Sequence, residues 1–249
     1  MIDRMMKAAL VAILLAMAPL VSGGEPLSEA QVDVLRKALE KPNMGLKVIS
    51  AQTTGVPNLV EVQLSEGPMI YSTLEGDYFI VGDLYEVGPE SYVNLAEQRR
   101  DALRMETLAE LSRDDMIIFA PEKETRSYVT VFFDDTCYYC QKLHGEVAEL
   151  NANGVEVRYL AYPRAGLSSD AYKNLASAWC ADDPNATLVK LINKESVPVN
   201  VCEGNPVAAQ FQLGQELGVR GTPAIVTEGG KMIPGYQSAS ELMATLGLD

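Results

Sequence analysis

Cys137 and Cys140 stand two residues apart at the end of an apolar run, in Val129-Thr130-Val131-Phe132-Phe133-Asp134-Asp135-Thr136-Cys137-Tyr138-Tyr139-Cys140. A β-branched and aromatic strand, a polar turn and a C-x-x-C opening a helix is an arrangement suited to thiol–disulfide exchange. At a helix start, unpaired backbone N–H groups and the positive end of the macrodipole favour thiolate over thiol, so Cys137 is the expected nucleophile. Cys140 lies about one turn deeper, close enough to close a disulfide with Cys137, and is the expected resolving thiol. Gln141 occupies the place where a c-type haem site needs His, and the other two cysteines are far off in sequence. Neither haem nor a four-ligand zinc site fits that pattern, and no cofactor or metal is expected.

Cys180 and Cys202 remain, and the simple inference for an exported chain is that they pair as a structural bridge. A second redox centre there stays open, without a helix-start C-x-x-C to support it. His144, Asp134 and Asp135 flank the reactive pair. The expectation for His144 is packing or surface, and for the two aspartates turn and capping duty. Thr222-Pro223 precedes a strand, and sequence alone leaves its peptide bond open between cis and trans.

The elements that must position these groups divide the chain in two. Residues 27–40 carry apolar side chains at helical spacing after a possible cap at Ser28, followed by short strands over 46–49, 59–64, 69–73 and 78–81. Residues 91–112 read as a solvated connecting helix, with Arg99 and Arg100 on its wet face. From 116 onward strands alternate with helices: strands at 116–120, 128–133 and 155–160, helices at 137–151, 169–179, 186–192 and 207–217. A hairpin over 224–233 and a helix over 238–246 close the chain. The expected fold is an α+β N-terminal domain, a linker helix and an α/β C-terminal domain with a helical insertion.

The chain has 249 residues, 34 acidic against 20 basic side chains and a net charge of −14, with 47% apolar and 22% charged residues. Such a composition excludes a disordered or collagenous chain, and the negative charge argues against a nucleic-acid partner. Arg4 and Lys7 precede a fourteen-residue apolar stretch and the small residues Ser22-Gly23-Gly24. Residues 1–23 therefore read as a cleaved secretory signal, too short for a membrane span, which places the protein in an oxidising exported compartment.

Strand, C-x-x-C, helix and a late Thr222-Pro223 before a hairpin and final helix resemble the thioredoxin superfamily. The segments 133–144, 157–167, 178–181, 217–224 and 233–236, with 69–71 and 84–87 nearer the N-terminus, resemble the DsbC/DsbG-type periplasmic thiol:disulfide isomerases, and the DsbC type most closely. The resemblance implies a homodimer built through a 24–88 dimerisation domain, a linker helix over 89–113 and a thioredoxin-like catalytic domain over 114–249. It implies isomerisation or reduction of non-native disulfides in misfolded exported proteins in the periplasm. It also implies a cis Pro223 beside Cys137, a Thr222 backbone that holds substrate, a Cys180–Cys202 bridge and a membrane reductase of the DsbD type as electron donor. Tyr138 and Tyr139, between the two cysteines, complete the expected substrate-binding set. Tyr138 stands where this family usually has Gly, and Gln141 where it commonly has His, so both bear on the redox poise. The alternative function is a DsbG-like reductase of single oxidised cysteines with chaperone activity.

Overall fold

A computed structural model describes residues 24–248 apart from 66, 68 and 90. The signal segment 1–23 lies outside the described residues. Among the described residues no helix is long and apolar enough to cross a membrane. The chain forms two compact units that meet after Leu84.

In the first unit, α1 (Glu29–Leu39) begins at Ser28, whose N–H donates to the Gln31 side chain at 3.0 Å. The strands β1 (Val48–Thr53), β2 (Leu59–Leu64), β3 (Ile70–Thr73) and β4 (Phe79–Val81) follow as an antiparallel meander in chain order. Val32, Leu35 and Leu39 of α1 pack on Val48, Ala51, Val60, Val62, Leu64 and Ile70. The turn between β3 and β4 passes close under α1. Gly76 there has φ +78°, and a Cβ on it would lie 2.5 Å from that of Ala38, so the approach requires glycine. β4 is an edge strand with Phe79, Ile80 and Val81 all exposed.

The second unit opens with a hairpin, β5 (Tyr85–Val87) and β6 (Tyr92–Asn94), and continues into α2 (Leu95–Ala109). The helix starts at Leu95 and not at 91 as its residue pattern suggests. Tyr92 and Val93 prefer a strand, and Asn94 caps the helix by accepting the Glu97 N–H at 3.0 Å. Nor is α2 solvated all round: Ala96, Arg104 and Leu108 are buried while Leu103 is exposed.

After a 3₁₀ turn at Arg113–Asp115 comes a five-stranded sheet of β7 (Ile117–Phe119), β8 (Ser127–Phe133), β9 (Val155–Ala161), β10 (Ala224–Thr227) and β11 (Met232–Pro234). Its order is β11-β10-β8-β9-β7, with β8 and β9 parallel and the other pairs antiparallel. A parallel pair needs a long crossover, here α3 (Tyr138–Gly145) and α4 (Val147–Ala152). The remaining helices are α5 (Asp170–Trp179), α6 (Pro184–Ile192), α7 (Val207–Glu216) and α8 (Ala239–Leu246).

Alternation along β8 explains its near-continuous apolar run. Val129, Val131 and Phe133 join one core with α3 to α6 and α8, whereas Phe132 joins another with Leu108, Leu160, Tyr162 and Phe211. The strand is thus buried on both faces, and its C-terminal end is held rigidly where the cysteines begin.

The single helix expected over 137–151 is two helices that break at Gly145-Glu146. Glycine weakens the helix there, and the Glu146 carboxylate is drawn aside, accepting from Tyr236 Oη at 2.6 Å and the Ala239 N–H at 3.2 Å.

Candidate active site

The turn after β8 is built by Asp134, whose Oδ1 accepts the Thr136 N–H at 2.8 Å and also the Thr136 hydroxyl. The Asp134 carbonyl accepts the Cys137 N–H at 3.1 Å, which delivers Cys137 to the N-cap of α3. From that position Cys137 Sγ faces the Cys140 N–H at 3.4 Å and the Thr222 carbonyl at 3.1 Å. The Thr222–Pro223 peptide is cis. Cys137, Cys140, Thr222 and Pro223 are therefore brought to one place, with Tyr138 and Tyr139 beside them and largely exposed.

The two thiols of the pair are free, and their environments push them apart. Cys137 is drawn down to about 5, first by the hydrogen bond from the Cys140 thiol, against the cost of burial, then by the Thr222 side chain and the Cys140 backbone N–H. The Thr222 carbonyl works the other way, since it accepts only from a protonated thiol, but the donors outweigh it. Cys140 is fully buried, and burial drives its thiol well above the ordinary value, with the bond to Cys137 adding to the rise. One thiolate beside one thiol is the ionisation state that nucleophilic exchange requires.

Asp134 is the turn residue that its type and place suggested. Asp135, expected in turn and capping duty, is buried, accepts from Asn174 Nδ2 at 2.8 Å, and is pushed up to about 6, chiefly by burial. Its main-chain carbonyl accepts from Gln141 Nε2 at 3.1 Å, which ties α3 to the turn. His144 packs, as expected. Its Nδ1 lies 3.0 Å from Tyr159 Oη and its ring meets Phe119 edge-on, and burial lowers it to about 4, leaving it uncharged at neutral pH.

Cys180 and Cys202 form a disulfide, closing a loop of 22 residues from the end of α5 to the segment ahead of α7. It is separate in sequence and in secondary structure from the reactive pair. Among the described residues no group of three or more His, Cys, Asp or Glu is placed to hold a metal.

Three residues near the site carry no sequence signal of their own. Arg164, after β9, pairs with Asp134. Tyr236, after β11, stacks on Tyr139, and Lys142 Nζ lies 4.2 Å above its ring. Arg104 projects from α2 with its side chain only 5% exposed, pairing with Glu97 and Asp101 at 2.8 Å each and donating to the Leu217 carbonyl at 3.2 Å. That last bond docks α2 on the loop leading to Thr222. An open cavity of about 870 Å³ runs between them, lined by Glu97, Arg100, Arg220, Thr222 and Pro223 among others. Arg104→Met leaves the Leu217 carbonyl without its donor and Asp101 without its paired cation, while Glu97 keeps Arg100. The expected loss is about 2 kcal/mol, below the full value for a buried pair because both carboxylates reach solvent. Urea unfolding measures it, and an unchanged midpoint would contradict the docking role.

Comparison with known proteins agrees with this architecture. Residues 26–97 match the Disulfide bond isomerase protein N-terminal domain and 113–248 a Thioredoxin-like domain. The chain is 37% identical to the thiol:disulfide interchange protein DsbC of Dickeya dadantii over 207 residues, 82% of each chain. It is 36% identical to DsbC of Escherichia coli K12 over 215 residues, 86% of this chain and 87% of that one. Among solved structures, a linker-deletion variant of Proteus mirabilis ScsC shares the fold, with a TM-score of 0.50 at 18% identity over 61% of this chain and 83% of that one. With two matched domains and relatives above 35% identity along most of its length, this chain belongs to the DsbC family of thiol:disulfide interchange proteins, enzymes of disulfide isomerisation and reduction.

Proposed function

We propose that Cys137 is the attacking thiolate and Cys140 the resolving thiol in the isomerisation and reduction of non-native disulfides in misfolded exported proteins. The observation that carries this reading is the placement of the two sulfurs at the start of α3: Cys137 Sγ at the helix N-cap beside the Cys140 N–H and the Thr222 carbonyl, and Cys140 fully buried, an arrangement that draws Cys137 down and drives Cys140 up.

Cys137 thiolate attacks one sulfur of a substrate disulfide. A new S–S bond forms, the substrate bond breaks, and the second substrate sulfur leaves as a thiolate that takes a proton from water. Two exits follow. Another substrate thiolate attacks the substrate sulfur of the mixed disulfide, making a new pairing and returning Cys137 thiolate with no net electron transfer. Otherwise Cys140 gives up its proton and attacks Cys137 Sγ, releasing the substrate reduced by two electrons and leaving a Cys137–Cys140 disulfide. A membrane thiol reductase of the DsbD type would supply the two electrons that restore the pair.

Thr222 and Pro223 would hold the substrate main chain across Cys137, with the exposed rings of Tyr138 and Tyr139 against its side chains. Residues 24–88 would pair two chains as a homodimer, 89–113 would link, and 114–249 would carry the chemistry. The exposed apolar edge of β4, Phe79-Ile80-Val81, supports the dimer, because an unpaired edge strand of that kind invites a partner strand. Residues 1–23 would direct export to the periplasm, the compartment in which the Cys180–Cys202 bridge persists.

Cys140→Ala tests the assignment. With a scrambled multi-disulfide substrate it should accumulate a covalent adduct through Cys137, seen by non-reducing mass spectrometry. An adduct on any other residue, or none, would overturn the proposed roles.

A further inference from the structure

A buried carboxylate three residues ahead of a reactive thiolate is an unfavourable neighbour, and the turn before α3 contains one. Asp134 is 1% exposed. Its Oδ1 takes two hydrogen bonds from Thr136; its Oδ2 takes the Arg164 N–H at 2.8 Å and Arg164 Nε at 3.2 Å. Arg164 Nη2 also reaches Thr136 Oγ1 at 3.4 Å, so the guanidinium spans the turn that presents Cys137.

We propose that Arg164 is a positioning residue for disulfide exchange, its guanidinium neutralising Asp134 so that negative charge can form on Cys137 Sγ. The inference rests on the reading of Cys137 as the nucleophile.

The charges around the sulfur leave this task to Arg164. On the turn, Asp135 is pushed up to about 6 and is mostly protonated at the lower pH where Cys137 titrates. On α3, Cys140 stays a thiol, Lys142 stands over the Tyr236 ring and His144 is neutral. From β9, Tyr159 is a buried phenol driven further up, and the loop before β10 presents the uncharged Thr222. Asp134 is thus the carboxylate of the turn that the Arg164 side chain pairs with, and the Arg164 charge itself favours Cys137 thiolate.

Geometry and charge separate cleanly here. Of the hydrogen bonds to the Asp134 carboxylate, only one comes from the Arg164 side chain. The others come from Thr136 and the Arg164 main chain, so Arg164→Met leaves the turn held while removing the positive charge.

The test is a titration of thiolate absorbance near 240 nm in the reduced full-length protein. Arg164→Met, with Arg164→Gln as a second charge-removing variant, should move the Cys137 midpoint upward by about one unit, a roughly tenfold loss of thiolate at acidic pH. Arg164→Lys should stay near wild type. The double variant Asp134→Asn/Arg164→Met should recover most of the shift, because it removes the charge that Arg164 opposes. An unmoved midpoint in both charge-removing variants would overturn the inference, as would a double variant that stays as high as the single one. Cys137→Ser is the control: loss of the absorbance step there keeps the two questions apart. A step that survives in Cys137→Ser would overturn the nucleophile assignment and this inference with it.

Discussion

Replacing Cys137 with alanine should reduce catalysed recovery of native pairing from a scrambled multi-disulfide protein to the rate in redox buffer alone, a loss on the order of 100-fold or more. The expectation follows from how the two thiols differ. Cys137 is drawn down to about 5 and is therefore ionised at neutral pH, whereas Cys140 is fully buried and held as a thiol. No other free thiol stands among the described residues, so nothing inherits the role. Cys140→Ala should behave differently, keeping isomerisation by substrate thiols while losing net reduction. Equal recovery with wild type and Cys137→Ala would remove the cysteine pair from the function altogether, and a chaperone cleft would become the better reading.

Opening the other pair should cost stability instead of chemistry. Cys180→Ala/Cys202→Ala frees a 22-residue loop, worth about 3 kcal/mol in the chain-entropy treatment, and a melting temperature lower by about 6 to 12 °C. The segment between α6 and α7 has no regular structure of its own. Its other ties are few: Ser177 Oγ accepts the Asn200 N–H at 2.8 Å, and the Cys180 carbonyl accepts Asn200 Nδ2 at 3.0 Å. Disulfide exchange by Cys137 at 25 °C should remain close to wild type. Denaturant unfolding and exchange assays on the double variant check both halves, and a loss of exchange without a loss of stability would assign a redox role to this bridge.

What the sequence reveals here depends on how far each signal reaches along the chain. The apolar run of β8, the two-residue spacing of the cysteines and the caps of α5 and α8 are local, and they place those elements closely. The break at Gly145-Glu146 is not local, because it depends on Tyr236 and Ala239, about 90 residues away. The buried face of α2 escapes a hydrophobicity reading for a different reason: its central inward residue is Arg104, hidden by two carboxylates and a distant carbonyl. Arg164 is likewise silent in sequence, thirty residues from the aspartate it meets. Of the site itself, the cysteine pair announces itself by type and spacing, whereas the place of the Thr222-Pro223 loop comes only from the family resemblance. The groups that set their charge are assembled only by the sheet, which brings the ends of β8 and β9 and the start of β10 together.

Alkylation of the reduced protein with substoichiometric iodoacetamide between pH 3.5 and 9, read by peptide mass spectrometry, tests the assignment of Cys137 most directly. The rate should follow the thiolate fraction, so labelling should fall on Cys137 with a midpoint near pH 5, leaving Cys140 unmodified. The same shift has a stability counterpart of fixed sign: the contribution of Cys137 to the stability of the reduced protein should grow as pH rises from about 5 to 9 and be lost as pH falls through 5. Labelling of Cys140, or a Cys137 midpoint at the ordinary thiol value near 9, would contradict a preformed thiolate at the start of α3.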